Sequence, residues 1–248
     1  AHRSRATAGM RQLERMKLVD DGYLIGCDVH RRMSVAGWRR RAFSSASIRS
    51  FCSGIGIGKR DSWIDMGVLE NAIREDLNEL APRVMGILDP LKVIIDNYPE
   101  DQVEMIEAKN HPQKPEMGSR EVPFCREIYI ERHDFLEEAP KKFFRLAPDR
   151  EVRLRYAYFI KLAKVVKDES GKVLEVHCTY DPESQGGNSP DGRKVKGTIH
   201  WVSARHALDA EIRLYDRLFT DEFPDGSKEK DFREFINPDS LKVLKNCK

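Results

Sequence analysis

The sequence predicts an α+β chain, with a short helical segment to about residue 82 and an antiparallel β-barrel-type segment from there to the last residue. Three observations predict it. The stretch DMGVLENAIREDLNEL, residues 65–80, sets Leu69, Ala72, Ile73, Asp76, Leu77 and Leu80 at the three- and four-residue spacing of one helix face. Pro82 ends that helix, because proline disfavours a helical predecessor. Beyond it the chain turns to short apolar or alternating runs separated by Gly, Pro and Asp turns, the rhythm of a barrel or sandwich.

In order, residues 1–9 match no pattern and stay unassigned. RQLERMKLVDDGY brings Leu13, Met16 and Leu18 or Val19 to one side, and Asp-Asp-Gly supplies a stop. Ser34 can cap SVAGWRRRAF. Ser44 or Ser45 can cap SASIRSFCS, with Ile48, Phe51 and Cys52 at helical spacing. After Pro82 come the β-rich run Leu91–Ile95 and then EIYIER, EVRLRYAYFIKLAKVV, KVLEVHCTY and KVKGTIHWVS. DESGK reads as a tight hairpin turn, whereas EIRLYDRLF fits helix and strand equally. In residues 191–207, Val195, Gly197, Ile199 and Trp201 fall on one face of a period-two strand. Lys194, Lys196, Thr198 and His200 fall on the other.

The net charge of +2 over 248 residues says little, but its distribution says more. Residues 141–161 carry seven Lys/Arg against two acids, and residues 31–41 carry five Arg and no acid. Segregation of this kind makes basic patches that attract phosphate backbones. The five cysteines, at 27, 52, 125, 178 and 247, show no metal-ligand spacing, and their odd number argues against a closed disulfide framework. A reducing compartment is expected. No apolar run reaches membrane-spanning length, and the first ten residues lack the apolar core of a secretory signal. SGIGIGKRDS fails as a phosphate loop, with Ser53 in place of the first Gly and Arg60 in place of the hydroxyl. No histidine pairs with another His or a Cys at zinc spacing, and no catalytic or metal site is expected.

The segments NHPQKPEMGSREVPFCREIYIERHDFLEEAPKKFFRL, EVRLRYAY, CTYDPES, DGRKVKGTIHWVSARHAL, EIRLYDRLF and INPDSLKVL closely resemble the anticodon-binding region of glutaminyl-tRNA synthetases, which are class I aminoacyl-tRNA synthetases. SIRSFCSGIGIGKRD and LENAIREDLNELAPRVMGILDPLKVIIDNYPE resemble the helical subdomain that precedes the barrels in that family. The resemblance implies a helical connecting subdomain over 1–82 and anticodon-binding barrels over 83–248, the second barrel incomplete. It implies ATP-dependent charging of tRNA-Gln with glutamine by the full-length enzyme, with ATP and Mg as that enzyme's cofactors and none in this chain. The family's H-I-G-H type motif is missing, and its M-S-K-R type loop would fall on Met10, Arg11, Gln12 and Leu13, where Gln12 replaces the phosphate-stabilising lysine. The chain is therefore expected to be inactive alone.

Residue by residue, the resemblance assigns anticodon contacts to Arg83, Asn78, Gln113, Arg145, Arg153 and Arg155, although the family often has Asn where Gln113 stands. Arginine suits the task because its planar fork both hydrogen-bonds base edges and stacks. Lys141, Lys194 and Lys196 are expected on the RNA backbone, supplying affinity rather than specificity. Phe144 stands where the family often has Lys, which exchanges a phosphate contact for stacking. The expected partner is tRNA-Gln, with other synthetases as further candidates, for a monomer in the cytoplasm. The alternatives are the anticodon domain of a glutamyl-tRNA synthetase, a stand-alone RNA-binding module without catalysis, and a relic.

Overall fold

Ala81 and Pro82 mark the division of the chain into two units, 1–81 and 82–248, in a computed structural model that describes residues 43–55, 64–187, 189, 191–221, 224 and 230–248. The expected helices before residue 43, the ATP-loop positions Met10 to Leu13 and most of the glycine-rich stretch lie outside the described residues.

In the first unit, helix α1 (Ser45–Ile55) begins at Ser44, whose Oγ accepts a hydrogen bond from the Ser47 amide at 2.9 Å. Helix α2 (Met66–Leu80) is capped by Asp65, whose Oδ1 accepts from the Gly67 amide at 2.5 Å. The Ser44 hydroxyl also donates to Asp76 Oδ2 at 2.5 Å and so ties the start of α1 to α2. Phe43, Leu69 and Ile73 form the small core between them, with Ile48, Phe51 and Met66 packed against it. Leu77 and Leu80, which continue the apolar stripe of α2, are exposed within this unit, and so is Cys52.

The second unit is built on β1 (Pro90–Ile95), whose Leu91, Val93 and Ile95 are completely buried. β1 pairs antiparallel with β4 (Glu127–Glu131) and parallel with β7 (Val173–Asp181). β7 pairs with β6 (Phe159–Lys167), and β6 with β5 (Glu151–Leu154), both antiparallel. The β6–β7 connection is the tight turn read from DESGK. Asp168 Oδ1 accepts from the Ser170 and Lys172 amides at 2.9 and 3.0 Å, and Gly171 takes a positive φ of 84°.

Two short strands complete the seven-stranded sheet. β8 (Thr198–Ile199) lies parallel on β5, and β9 (Val202–Ser203) lies antiparallel on β4. They occupy opposite edges of the sheet yet are separated only by His200 and Trp201. One segment of six residues thus serves both edges and curls the sheet around its core. Two expectations change. The sheet is mixed rather than purely antiparallel, because β1 and β5 each take a parallel neighbour. The expected continuous strand through 194–203 is two short strands with a bend at His200–Trp201, where the chain passes from one edge to the other.

Two hairpins were not predicted in full. β2 (Glu104–Lys109) pairs with β3 (Ser119–Phe124), and β10 (Ala210–Tyr215) pairs with β11 (Leu241–Cys247). The EIRLYDRLF ambiguity resolves to strand for β10. β2 shows only Ile106 and Ala108 as buried positions, and β3 contains a proline, so neither carries a strong strand signal. In β11 the less exposed positions recur at every third residue, Leu241, Leu244 and Cys247, which is not the period of a strand.

At one end of the core, Tyr98, Tyr158 and Tyr180 pack edge to face around Glu104. The Tyr158 hydroxyl donates to Glu104 Oε2 at 2.7 Å, and the Gln185 amide donates to the other oxygen. Burial, reinforced by the Glu104 charge, pushes Tyr98 up to about 12 and raises Tyr158 and Tyr180 as well. Their folded pKa values lie above the unfolded value of 10.0, so their stabilisation is complete below pH 10 and is lost as pH rises through the folded values. The urea midpoint should therefore fall steeply between about pH 10 and 12. In Glu104→Gln, tyrosinate absorbance should appear at lower pH than in the wild type; an unchanged titration would refute the role of that carboxylate.

Candidate nucleic-acid interface

Residues 140–146 form a loop whose backbone is held from several directions. Arg150 Nη1 donates to the carbonyls of Phe143 and, at 3.2 Å, Pro140. The Leu146 amide donates to the Asp134 carbonyl at 3.0 Å, and the Leu136 amide returns a bond to the Leu146 carbonyl at 3.1 Å. The loop lies directly on Gly197, where a Cβ would collide with the Phe144 carbonyl; glycine is the residue that permits this approach.

Between this loop and the segment 194–197 runs an open groove of about 550 Å³. Lys141, Arg145, Lys161, Lys194 and Lys196 line it, with Asp149 and Glu151 as its acids. Glu151 is engaged by Arg193 at 2.8 Å. Lys141, Lys161 and Lys194 have no carboxylate at ion-pair distance among the described residues, and Lys196 Nζ stands 5.3 Å from the centroid of the Phe144 ring. Arg145 is committed in part, its Nε lying 3.0 Å from the buried Asp134 carboxylate. Burial raises the Asp134 pKa, and the charges of Arg145 and His133 oppose that rise. The alternation expected for 194–201 survives without a continuous ladder: Lys194, Lys196 and Thr198 are exposed, and Gly197, Ile199 and Trp201 are buried.

Arg153 and Arg155 lie beside the groove. The Arg153 amide donates to the Gly197 carbonyl and the Arg155 amide to the Ile199 carbonyl, both at 2.9 Å. Val152 and Leu154 point into the core at 0% exposure, so both arginines face away from it. The Arg153 guanidinium lies 5.2 Å from the Phe159 ring centroid, and its Nε is buried without a hydrogen-bond partner. Arg155 is already past the strand, and Tyr156 follows in the turn with φ of 67°.

The remaining candidates lie elsewhere. The Arg83 amide donates to the Asn110 carbonyl at 2.6 Å, and Asn110 opens the loop that carries Gln113. Gln113 is exposed, and its backbone N–H donates to Nδ1 of the buried His111 at 3.2 Å. Asn78 is exposed on the last turn of α2, in the first unit. His200 Nε2 lies 3.0 Å from the Gly86 carbonyl and His206 Nδ1 lies 2.9 Å from Ser203 Oγ, so both serve packing. Among the described residues no cluster of three His, Cys, Asp or Glu side chains could hold a metal ion, and no helix is long and apolar enough to cross a membrane.

The residue that sequence reasoning missed is Arg193. It binds Glu151 at 2.8 Å, Asp191 at 2.8 Å and Asp181 with one guanidinium, joining β5, the end of β7 and the turn that leads into Lys194. Bonds from Ser189 and Arg193 hold the Asp191 carboxyl down at about 2. The available signal was the Asp-Gly-Arg turn followed by alternating lysines, but its carboxylate partners Glu151 and Asp181 are distant in sequence.

Residues 81–181 match the family described as "tRNA synthetases class I (E and Q), anti-codon binding domain", and residues 198–248 match a second family of the same description. The chain is 55% identical over 228 residues to a glutamine–tRNA ligase of Pseudoalteromonas atlantica, 92% of this chain and 40% of that protein. It is 52% identical over 232 residues to one of Bradyrhizobium diazoefficiens, 94% of this chain and 41% of that protein. It is also 52% identical over 229 residues to one of Clostridium perfringens, 92% of this chain and 41% of that protein. The chain thus spans about two fifths of the length of the curated relatives it matches.

Replacing Arg193 should loosen the groove wall without melting the sheet. In Arg193→Ala, amide hydrogen exchange should accelerate across 192–197 and stay slow in β1 and β7. Arg193→Lys should not restore protection, because a single ammonium cannot satisfy three carboxylates as the guanidinium fork does. Unchanged exchange in Arg193→Ala would show the network to be dispensable.

Proposed function

Because the chain belongs to the anticodon-binding family of class I (E and Q) tRNA synthetases, we propose that it is the tRNA-reading part of a glutamine–tRNA ligase. The observation that carries this reading is 52–55% identity to glutamine–tRNA ligases over more than nine tenths of the chain. The groove's Lys141, Lys161 and Lys194, which have no carboxylate at ion-pair distance among the described residues, support it. On this reading the substrate is the anticodon arm of tRNA-Gln, whose loop bases can be splayed out, stacked and hydrogen-bonded along their edges. Arg83, Asn78, Gln113, Arg145, Arg153 and Arg155 read bases, and Lys141, Lys194 and Lys196 neutralise phosphates. The chain works as a monomer in the cytoplasm, and the ATP and Mg chemistry of charging is assigned to no residue described here.

The first test is binding to tRNA-Gln, to tRNA-Gln with an altered anticodon and to an unrelated tRNA, each across a salt series. Preference for tRNA-Gln that vanishes with the anticodon change is expected. Equal binding to all three would reject the reading and leave an electrostatic RNA-binding module. Arg83→Ala should cost about 1–3 kcal/mol and flatten the anticodon preference, as loss of a base-edge contact does. The double substitution Lys194→Ala with Lys196→Ala should instead weaken all three RNAs alike and lower the salt slope by about 1.4, since each phosphate contact to a single strand contributes roughly 0.7. A slope equal to the wild type's would make that face merely solvated.

A further inference from the structure

We infer that Phe144 is a preformed stacking platform for one unpaired nucleobase of the bound RNA, supplying affinity that does not depend on which base is stacked. This rests on the anticodon reading and adds a contact that none of the groove's cations can make.

Phe144 is the sole exposed aromatic side chain among the described residues, with 51% of its surface open to solvent; the other described aromatics are buried or half-buried. It stands on the wall of the groove, with Lys141 and Arg145 on the same loop and Lys194 and Lys196 opposite. Its backbone is fixed before any ligand arrives. The Gly197 approach pins its carbonyl, Arg150 holds the carbonyls of Pro140 and Phe143, and Leu146 bonds to Asp134 and Leu136. A ring on an anchored backbone has little freedom left to lose on binding.

An aromatic face set among cations that track a phosphate backbone is how proteins hold single strands. Because every base has a π-face, such a stack tolerates any sequence. The groove volume of about 550 Å³ falls within the ~300–1,000 Å³ of sites that enclose small ligands. Lys196 Nζ lies over one face of the ring, 5.3 Å from its centroid, so the base takes the opposite face and the ammonium stands close enough to meet a neighbouring phosphate. If Phe144 served only to pack against the stem of Lys196, any apolar side chain of similar size would do, and that difference can be measured.

The experiment uses tRNA-Gln transcripts carrying 2-aminopurine at single anticodon-loop positions. The wild-type chain should quench the probe at one of them. Phe144→Leu keeps the apolar bulk and so the fold, but it should bind roughly 5- to 150-fold more weakly, the cost of one base–aromatic stack. It should also lose the quenching while keeping the wild-type salt slope, because no charge is removed. Phe144→Trp should restore affinity and quenching, and the loss in Phe144→Leu should be the same whichever base occupies the stacked position. Wild-type affinity and quenching in Phe144→Leu would overturn the stack and leave the anticodon reading standing. Failure of the wild-type chain to distinguish tRNA-Gln from its anticodon variant would overturn that reading, and the stack with it.

Discussion

The sheet depends on the 2.9 Å hydrogen bond from the fully buried Trp201 indole to the Arg155 carbonyl. Trp201 stands where one segment crosses from the β5 edge of the sheet to the β4 edge. A large ring is needed there to fill the mouth of the core, and Phe124 meets it edge-on with 4.9 Å between centroids. A buried indole N–H without a partner would cost about 1–3 kcal/mol, and the Arg155 carbonyl prevents that cost. By covering both edges with one stretch of chain, the fold also hides backbone groups that would otherwise recruit another strand.

That same crossing builds the candidate interface. β8 can lie parallel beside β5 because Trp201 anchors its far end, and in the segment leading into it Lys194 and Lys196 are exposed while Ile199 is buried. Arg193 holds its near end. The result is a division of labour among cations of the same chemistry. Arg193, with three carboxylates, is committed to the fold, whereas Lys141, Lys161 and Lys194 have no carboxylate at ion-pair distance among the described residues. Exposed ion pairs contribute only about 0–1 kcal/mol each, so a lysine without one among the described residues costs the fold little.

The two halves of the chain differ in how directly pattern becomes structure. Helices α1 and α2 follow from local rules: a capping Ser or Asp, apolar residues at helical spacing and a terminating proline. Strands β1, β4, β6 and β7 follow from short β-rich runs, since their buried positions are Val, Ile, Leu, Phe and Cys apart from Glu131 at the end of β4. β2, β3 and β11 escaped because charged residues, a proline and a three-residue exposure pattern mask their period.

By itself the sequence determined the two described helices, which core strands form, which face of 194–201 is cationic and to which family the chain belongs, because each is written in residues close together in the chain. Only the tertiary structure decided that the strand ending in Trp201 would bend and serve two edges, and that β1 and β7 would run parallel. It alone decided which arginine would be spent on carboxylates and which lysines would stay open. Glu151, Asp181 and Arg193 have no neighbourhood in sequence; they meet because closing the sheet around one core leaves them no other place.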